Sequence, residues 1–227
     1  MSHLAIAGIT PFTTVDWPGK LSAVAWLAGC PWRCPYCHNH ALWTPDAAQY
    51  DLADLLGLLA SRAGLLDGVV FSGGEPLAQD ALPEAVAQVK ALGFEVGLHT
   101  GGAHPAVLKE ILPQLSWVGF DVKAPWEGYD HITLQPRSAE PARESLRMVL
   151  DAGIPMEVRT TWHPALLTSK DITTLARQLK AEGVPVWRVQ AYRAQGTTGA
   201  LADETVYPSD VPAEAQAAIP NYEFRRA

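Results

Sequence analysis

The chain has 227 residues, 48% apolar and 18% charged, with 18 prolines and no low-complexity run. That is the make-up of one globular domain of ordinary size, and it excludes a disordered or fibrous chain. The formal net charge is −7 and the basic residues never cluster beyond the pair Arg225–Arg226, so no nucleic-acid footprint is expected.

The first expected strand is the apolar run at 21–27, which with Ala28, Gly29 and Cys30 reaches only about half the length of a bilayer span. No basic residue precedes Lys20, so neither a secretory leader nor a membrane segment is expected. Residues 51–63 place Leu52, Leu55, Leu56 and Leu59 on one helical face behind Asp51 as N-cap, and 81–92 repeats the pattern with Leu82, Ala85, Val86 and Val89. Apolar runs at 69–71, 94–98, 117–122, 156–160 and 186–189 are rich in β-branched and aromatic residues, as buried strands are. Further helices are expected to start near Pro105, Ser138 and Ser169, and three to end at Gly93, Gly153 and Gly183 in left-handed caps.

Six strands alternating with helices predict an α/β fold with parallel strands, right-handed crossovers and helices outside. A closed eight-stranded barrel takes about 250 residues, so the expectation is an incomplete (βα)6 barrel or an open sheet. The whole chain, 1–227, reads as one domain: an N-terminal segment 1–20, a βα core 21–193 and an irregular tail 203–227 containing Pro208, Pro212 and Pro220. The stretch 8–20, with Pro11, Trp17 and Pro18, carries no strand or helix period. It reads either as a plug for the barrel bottom or as an exposed docking surface for a partner.

In either architecture, function gathers at the C-terminal ends of the strands. The polar and glycine-rich signals fall there: Ser72-Gly73-Gly74-Glu75-Pro76, His99-Thr100-Gly101-Gly102, Asp121 with Lys123, Arg159 and Gln190. Asp121 and Lys123 are expected to share a site only if their strand ends between them. After the first strand comes Cys30-Pro-Trp-Arg-Cys34-Pro-Tyr-Cys37, which holds all three cysteines of the chain. An odd number within eight residues excludes a disulfide framework and points to a reducing, cytoplasmic compartment. Three thiolates on a tight turn can converge on one metal centre and leave one iron of a four-iron cluster open, whereas a structural site should be closed. The alternatives are a zinc site closed by His38 or His40, as in a non-enzymatic adaptor, and three buried thiols without function.

The C-x3-C-x-aromatic-C loop, with Tyr36 as the aromatic, and Gly73-Gly74-Glu75-Pro76 resemble the two motifs of the radical S-adenosylmethionine (SAM) enzymes. Cys34-Pro-Tyr-Cys-His-Asn39, Val15-Asp-Trp-Pro-Gly-Lys20 and Asp121-Val-Lys123 narrow the resemblance to the glycyl-radical-enzyme activases, and within them to the anaerobic ribonucleotide reductase type. The resemblance implies a radical-SAM-type barrel and a [4Fe-4S] cluster on Cys30, Cys34 and Cys37. Its open iron would chelate S-adenosyl-L-methionine, whose reductive cleavage leads to hydrogen abstraction from a glycine of a partner enzyme. Tyr36, His38, Gly73, Gly74, Glu75, Pro76, His99, Asp121, Lys123, Arg159 and Gln190 are the implied cofactor contacts. The resemblance also implies a low-potential electron donor such as flavodoxin or ferredoxin. His99 stands where related activases often carry an Asp of a cation site. A radical SAM enzyme acting on a small molecule or peptide, or an activase of a pyruvate formate-lyase-like enzyme, is the alternative.

Overall fold

Strand residues alternate between two cores with the period of two that a pleated backbone dictates. Ala23, Ala25 and Leu27, Val69 and Phe71, Val96 and Leu98, and Val118 and Phe120 belong to one large core. Their alternate neighbours Val24, Val70 and Trp117 form a second, smaller core with Trp17. The computed structural model describes residues 3–199, 201–202 and 204–226. One eight-stranded sheet runs in sequence order: β1 (Ile6–Thr13), β2 (Ser22–Leu27), β3 (Gly68–Gly73), β4 (Glu95–Thr100), β5 (Trp117–Asp121), β6 (Met156–Trp162), β7 (Val186–Ala191) and β8 (Asn221–Arg225). β1 is antiparallel to β2, and every later neighbouring pair is parallel. β1 and β8 are the two ends of the order, so the sheet is an incomplete barrel and not a closed one.

The helices are α1 (Leu52–Ser61), α2 (Leu82–Ala91), α3 (Pro105–Ile111), α4 (Tyr129–Thr133), α5 (Ala139–Asp151), α6 (Ser169–Ala181) and α7 (Ala213–Ala218). Asp51 caps α1 in a reciprocal box with Asp54, and Thr168 does the same for α6 with Asp171. Gly93, Gly153 and Gly183 all have positive φ, as the expected caps require. No helix among the described residues is long and apolar enough to cross a membrane.

Two expectations at the chain ends are corrected. The N-terminal segment is not without a strand: β1 pairs along β2, with register shifts between Ile6 and Gly8 and between Thr10 and Thr13. Those irregularities, with Pro11, are what hide its period in the sequence. Trp17 is buried and stacks on Trp117 with ring centroids 6.0 Å apart, so the indole is a barrel plug and not a docking surface. A Cβ at Gly97 would come within 3.0 Å of that indole, so glycine there makes room for it. The tail is not irregular either. α7 and β8 extend the βα alternation by one unit, and β8 lies parallel to β7 from Asn221 to Arg225. Asn221-Tyr-Glu-Phe-Arg is too polar to read as a buried run because it is the sheet's edge. Met1, Ser2, Asp203 and Ala227, at the limits of the two expected end segments, lie outside the described residues.

Candidate active site

A cavity of about 280 Å³ opens where the strand ends meet the cysteine loop, and Cys30, Cys34 and Cys37 all line it. The loop is held on both flanks and in the middle. Gly29 N donates to Leu42 O at 2.7 Å, Cys30 N to Trp43 O at 3.2 Å and Arg33 N to Thr133 O at 2.8 Å. Cys37 N closes a turn on Cys34 O at 3.0 Å. All three thiols are free. Burial pushes the Cys30 thiol up to about 12 and also raises Cys34, so both stay protonated unless a positively charged centre stabilises the thiolate.

This donor set fits an iron–sulfur cluster with one open iron: three free thiols line one cavity, and Cys34 is buried. It fits a closed zinc site poorly. His38 lines the cavity, but its Nδ1 lies 3.1 Å from Gln195 O, and His40 does not line it. Among the described residues no group of three His, Cys, Asp or Glu side chains is arranged to hold a single metal ion.

Opposite demands shape the second motif. Gly73 has φ 117°, and a Cβ there would collide with the Leu27 backbone; one at Gly74 would collide with the Gly29 carbonyl. The turn thus packs backbone to backbone against the root of the cysteine loop, with Gly74 N donating to Leu27 O at 2.8 Å and Glu75 N to Gly29 O at 2.9 Å. Both glycines still line the cavity. Asn39 reaches back from the loop and donates to Gly73 O at 3.1 Å.

Glu75 lines the cavity, yet its carboxylate is engaged by the protein itself. It accepts from Thr100 Oγ1 at 2.5 Å, Gly101 N at 2.8 Å and Leu77 N at 3.1 Å. Burial raises its carboxyl, and those donors oppose the rise. Its role is to brace the β3 turn against the β4 turn. Pro76 is buried at the start of a short 3-10 turn and does not line the cavity; the fixed φ of proline starts that turn.

Across the cavity Asp121 sits between two cations. Arg159 Nε donates to its Oδ1 at 2.9 Å, and Lys123 Nζ stands 3.6 Å from its Oδ2. Burial acts to raise the Asp121 carboxyl, but Arg159 and then Lys123 hold it below the usual carboxylate range. A spacing of two already puts alternate strand residues on one face, so Asp121 and Lys123 share the cavity without needing β5 to end, although it does end at Asp121. Gln190 and Tyr36 also line the cavity.

His99 is enclosed. Its Nε2 lies 2.8 Å from the Asp16 carbonyl, which can only accept, and its Nδ1 lies 3.3 Å from Ser72 Oγ. The neutral ring therefore carries its proton on Nε2 and accepts on Nδ1. Burial, then the charge of Arg159, pulls His99 down to about 3, so the position offers no negative charge to a cation.

A family model described as the radical SAM superfamily matches residues 25–185. This chain belongs to the radical SAM superfamily. A protein of Methanocaldococcus jannaschii named as a glycyl-radical enzyme activating enzyme is 30% identical over 77% of this chain and 75% of its own length. The pyruvate formate-lyase-activating enzyme of Clostridium pasteurianum is 32% identical over 77% and 76%. PqqA peptide cyclase of Xanthomonas euvesicatoria is 34% identical, but over 59% of this chain and 37% of its own. Among solved structures, SuiB of Streptococcus suis bound to S-adenosylmethionine superposes with TM-score 0.65 at 12% identity, covering 88% of this chain; this chain spans about half of SuiB, 48%. The radical SAM fold accordingly brings with it a [4Fe-4S] cluster and S-adenosyl-L-methionine as cofactors.

Sequence reasoning did not single out Trp32, Asn39, Thr161, Trp26, Trp43 or Asp16 as cavity residues, and all six line the cavity. Asn39 stood inside a quoted motif. Trp32 had a signal of its own: a large indole between two cysteines must be buried somewhere.

Proposed function

We propose that this radical SAM enzyme is a cytoplasmic glycyl-radical-enzyme activase whose partner is an anaerobic ribonucleotide reductase. The observation that carries the reading is the joint placement of three cysteines and the Asp121–Lys123–Arg159 charge set around one cavity. Two relatives with activase names, each matched over three quarters of both chains, support the branch. The single cysteine group favours a reductase or a pyruvate formate-lyase-like partner, and between those two the Val15–Lys20 segment and the Gly73-Gly74-Glu75-Pro76 form favour the reductase.

Cys30, Cys34 and Cys37 would hold the cluster, and with three protein thiolates one iron would stay open to the ligand. Bound together, cluster and S-adenosyl-L-methionine supply one-electron reductive cleavage of the sulfonium and hydrogen abstraction; a flavodoxin or ferredoxin supplies the electron. Arg159 and Lys123 present positive charge to the ligand's carboxylate, which the guanidinium fork suits. The carbonyls of the Gly73–Gly74 turn accept from its ammonium group. Tyr36, His38 and Gln190 border the remaining ligand surface. His99 acts through its neighbours, fixing Asp16 and Ser72 at the wall.

The test is anaerobic reconstitution, followed by incubation with a reductase chain bearing a C-terminal glycyl-radical segment. A glycyl-radical signal by electron paramagnetic resonance, with stoichiometric 5'-deoxyadenosine, is the expected result. Cleavage of S-adenosyl-L-methionine with no radical on that chain, but with modification of a precursor peptide, would favour the peptide-modifying alternative.

A further inference from the structure

Lys123 has a second set of contacts that pairing with Asp121 does not explain. Its Nζ lies 5.5 Å from the centroid of the Trp32 ring and 5.9 Å from that of Tyr36. Both rings belong to the cysteine loop, Trp32 between Cys30 and Cys34 and Tyr36 between Cys34 and Cys37. A cation within about 6 Å of a ring centroid is attracted by the ring quadrupole, most strongly by indole. The Lys123 side chain is only 13% exposed, so little water competes for the ammonium.

Trp32 is itself fixed in place. It is buried, meets Tyr129 edge-on with centroids 6.1 Å apart, and lies so close to Gly101 that any Cβ there would collide with the indole. Gly101 is tied in turn to Glu75. The Asp121 carboxylate cannot by itself set the position of Lys123, because its nearer partner is Arg159 at 2.9 Å, against 3.6 Å for Lys123. The two rings keep the ammonium on the cysteine side of the cavity.

We propose that Trp32, together with Tyr36, is a positioning residue that cages the Lys123 ammonium against the cysteine loop and thereby raises the reduction potential of the cluster held there. The inference rests on the cluster assignment above. One added electron makes the cluster more negative, and a cation close by in a poorly hydrated cavity favours that reduced state.

The experiment is a mediated dithionite titration of the reconstituted holoprotein without S-adenosyl-L-methionine, followed by electron paramagnetic resonance. Wild type, Trp32→Leu, Lys123→Met and the double variant are compared. Lys123→Met is expected to disfavour reduction about tenfold, about 59 mV for one electron, and Trp32→Leu about threefold. In the double variant Trp32→Leu should add nothing, because it acts through Lys123. Trp32→Phe, which keeps a ring face, should recover most of the loss. An unchanged potential in Trp32→Leu, or a shift that persists in the Lys123→Met background, overturns the proposal. Should Trp32→Leu fail to retain iron and sulfide, Trp32→Phe carries the same test, with a smaller shift present only alongside Lys123. A wild-type protein with no titratable signal would instead count against the cluster assignment.

Discussion

His99 shows how one enclosed side chain ties the cavity to the N-terminal segment and sets a pH dependence. The folded ring titrates at about 3 and the unfolded one near 6.5. Between those values the unfolded chain binds a proton that the folded chain does not, so stability falls as pH drops through the window. Stability against thermal unfolding should fall by about 1–1.5 kcal/mol between pH 7.5 and 5.5 from this group. His99→Gln keeps an N–H donor for Asp16 O and should show a shallower slope; an identical slope would remove His99 as the cause. Glu75 makes the complementary prediction. Gln at this position replaces one acceptor oxygen by an NH2 group, a donor set against donors already aimed there from Thr100, Gly101 and Leu77. Glu75→Gln should cost about 1–3 kcal/mol in urea denaturation and loosen both turns at once.

At the scale of elements, the segment 14–17 and strand β8 each close part of the barrel. Trp17→Ala empties the space between Trp117 and Gly97 and should cost about 3–5 kcal/mol, as large aromatic truncations in cores do. Combined with Asp16→Ala, it should reduce glycyl-radical formation and uncoupled cleavage of S-adenosyl-L-methionine together. Divergence of the two assays would assign a docking role to the stretch 8–20, whose Phe12 and Val15 are exposed. β8 is fixed across the inner face of the sheet by Arg225, which grips Glu157 through two bonds of 2.9 Å. Glu157 is buried, and Arg188 stands only 3.6 Å away as its other partner. Arg225→Ala should therefore cost about 2 kcal/mol, less than a fully buried pair because Arg225 is partly exposed. Amide hydrogen exchange should rise in β8 before it rises in β5 or β6.

For the whole molecule, the cysteine loop, the β3 turn and the β5–β6 strand ends must arrive at one cavity for the chemistry to occur. Cys34→Ala should leave the fold near wild type in far-ultraviolet circular dichroism, since the loop is anchored through Gly29, Cys30 and Arg33. The same variant should lose the visible absorption of the cluster and all reductive cleavage. Retention of both would remove the cluster from these residues.

The βα alternation, six of the seven parallel strands, the helix caps and the cysteine loop were legible along the chain because each depends on neighbours within a few residues. Hydrophobic period, glycine caps and ligand spacing are local properties, and they sufficed to give the parallel α/β architecture and the superfamily. The burial of Trp17, the edge position of β8 and the use of Glu75 as a brace were not legible. Each depends on partners far along the chain: Trp117 for Trp17, Glu157 for Arg225, Thr100 and Gly101 for Glu75. Sequence could place Lys123 and Trp32 at the ends of two different elements. Only the tertiary structure could set an ammonium over an indole, because a cation–π contact exists only once both side chains share one poorly hydrated space.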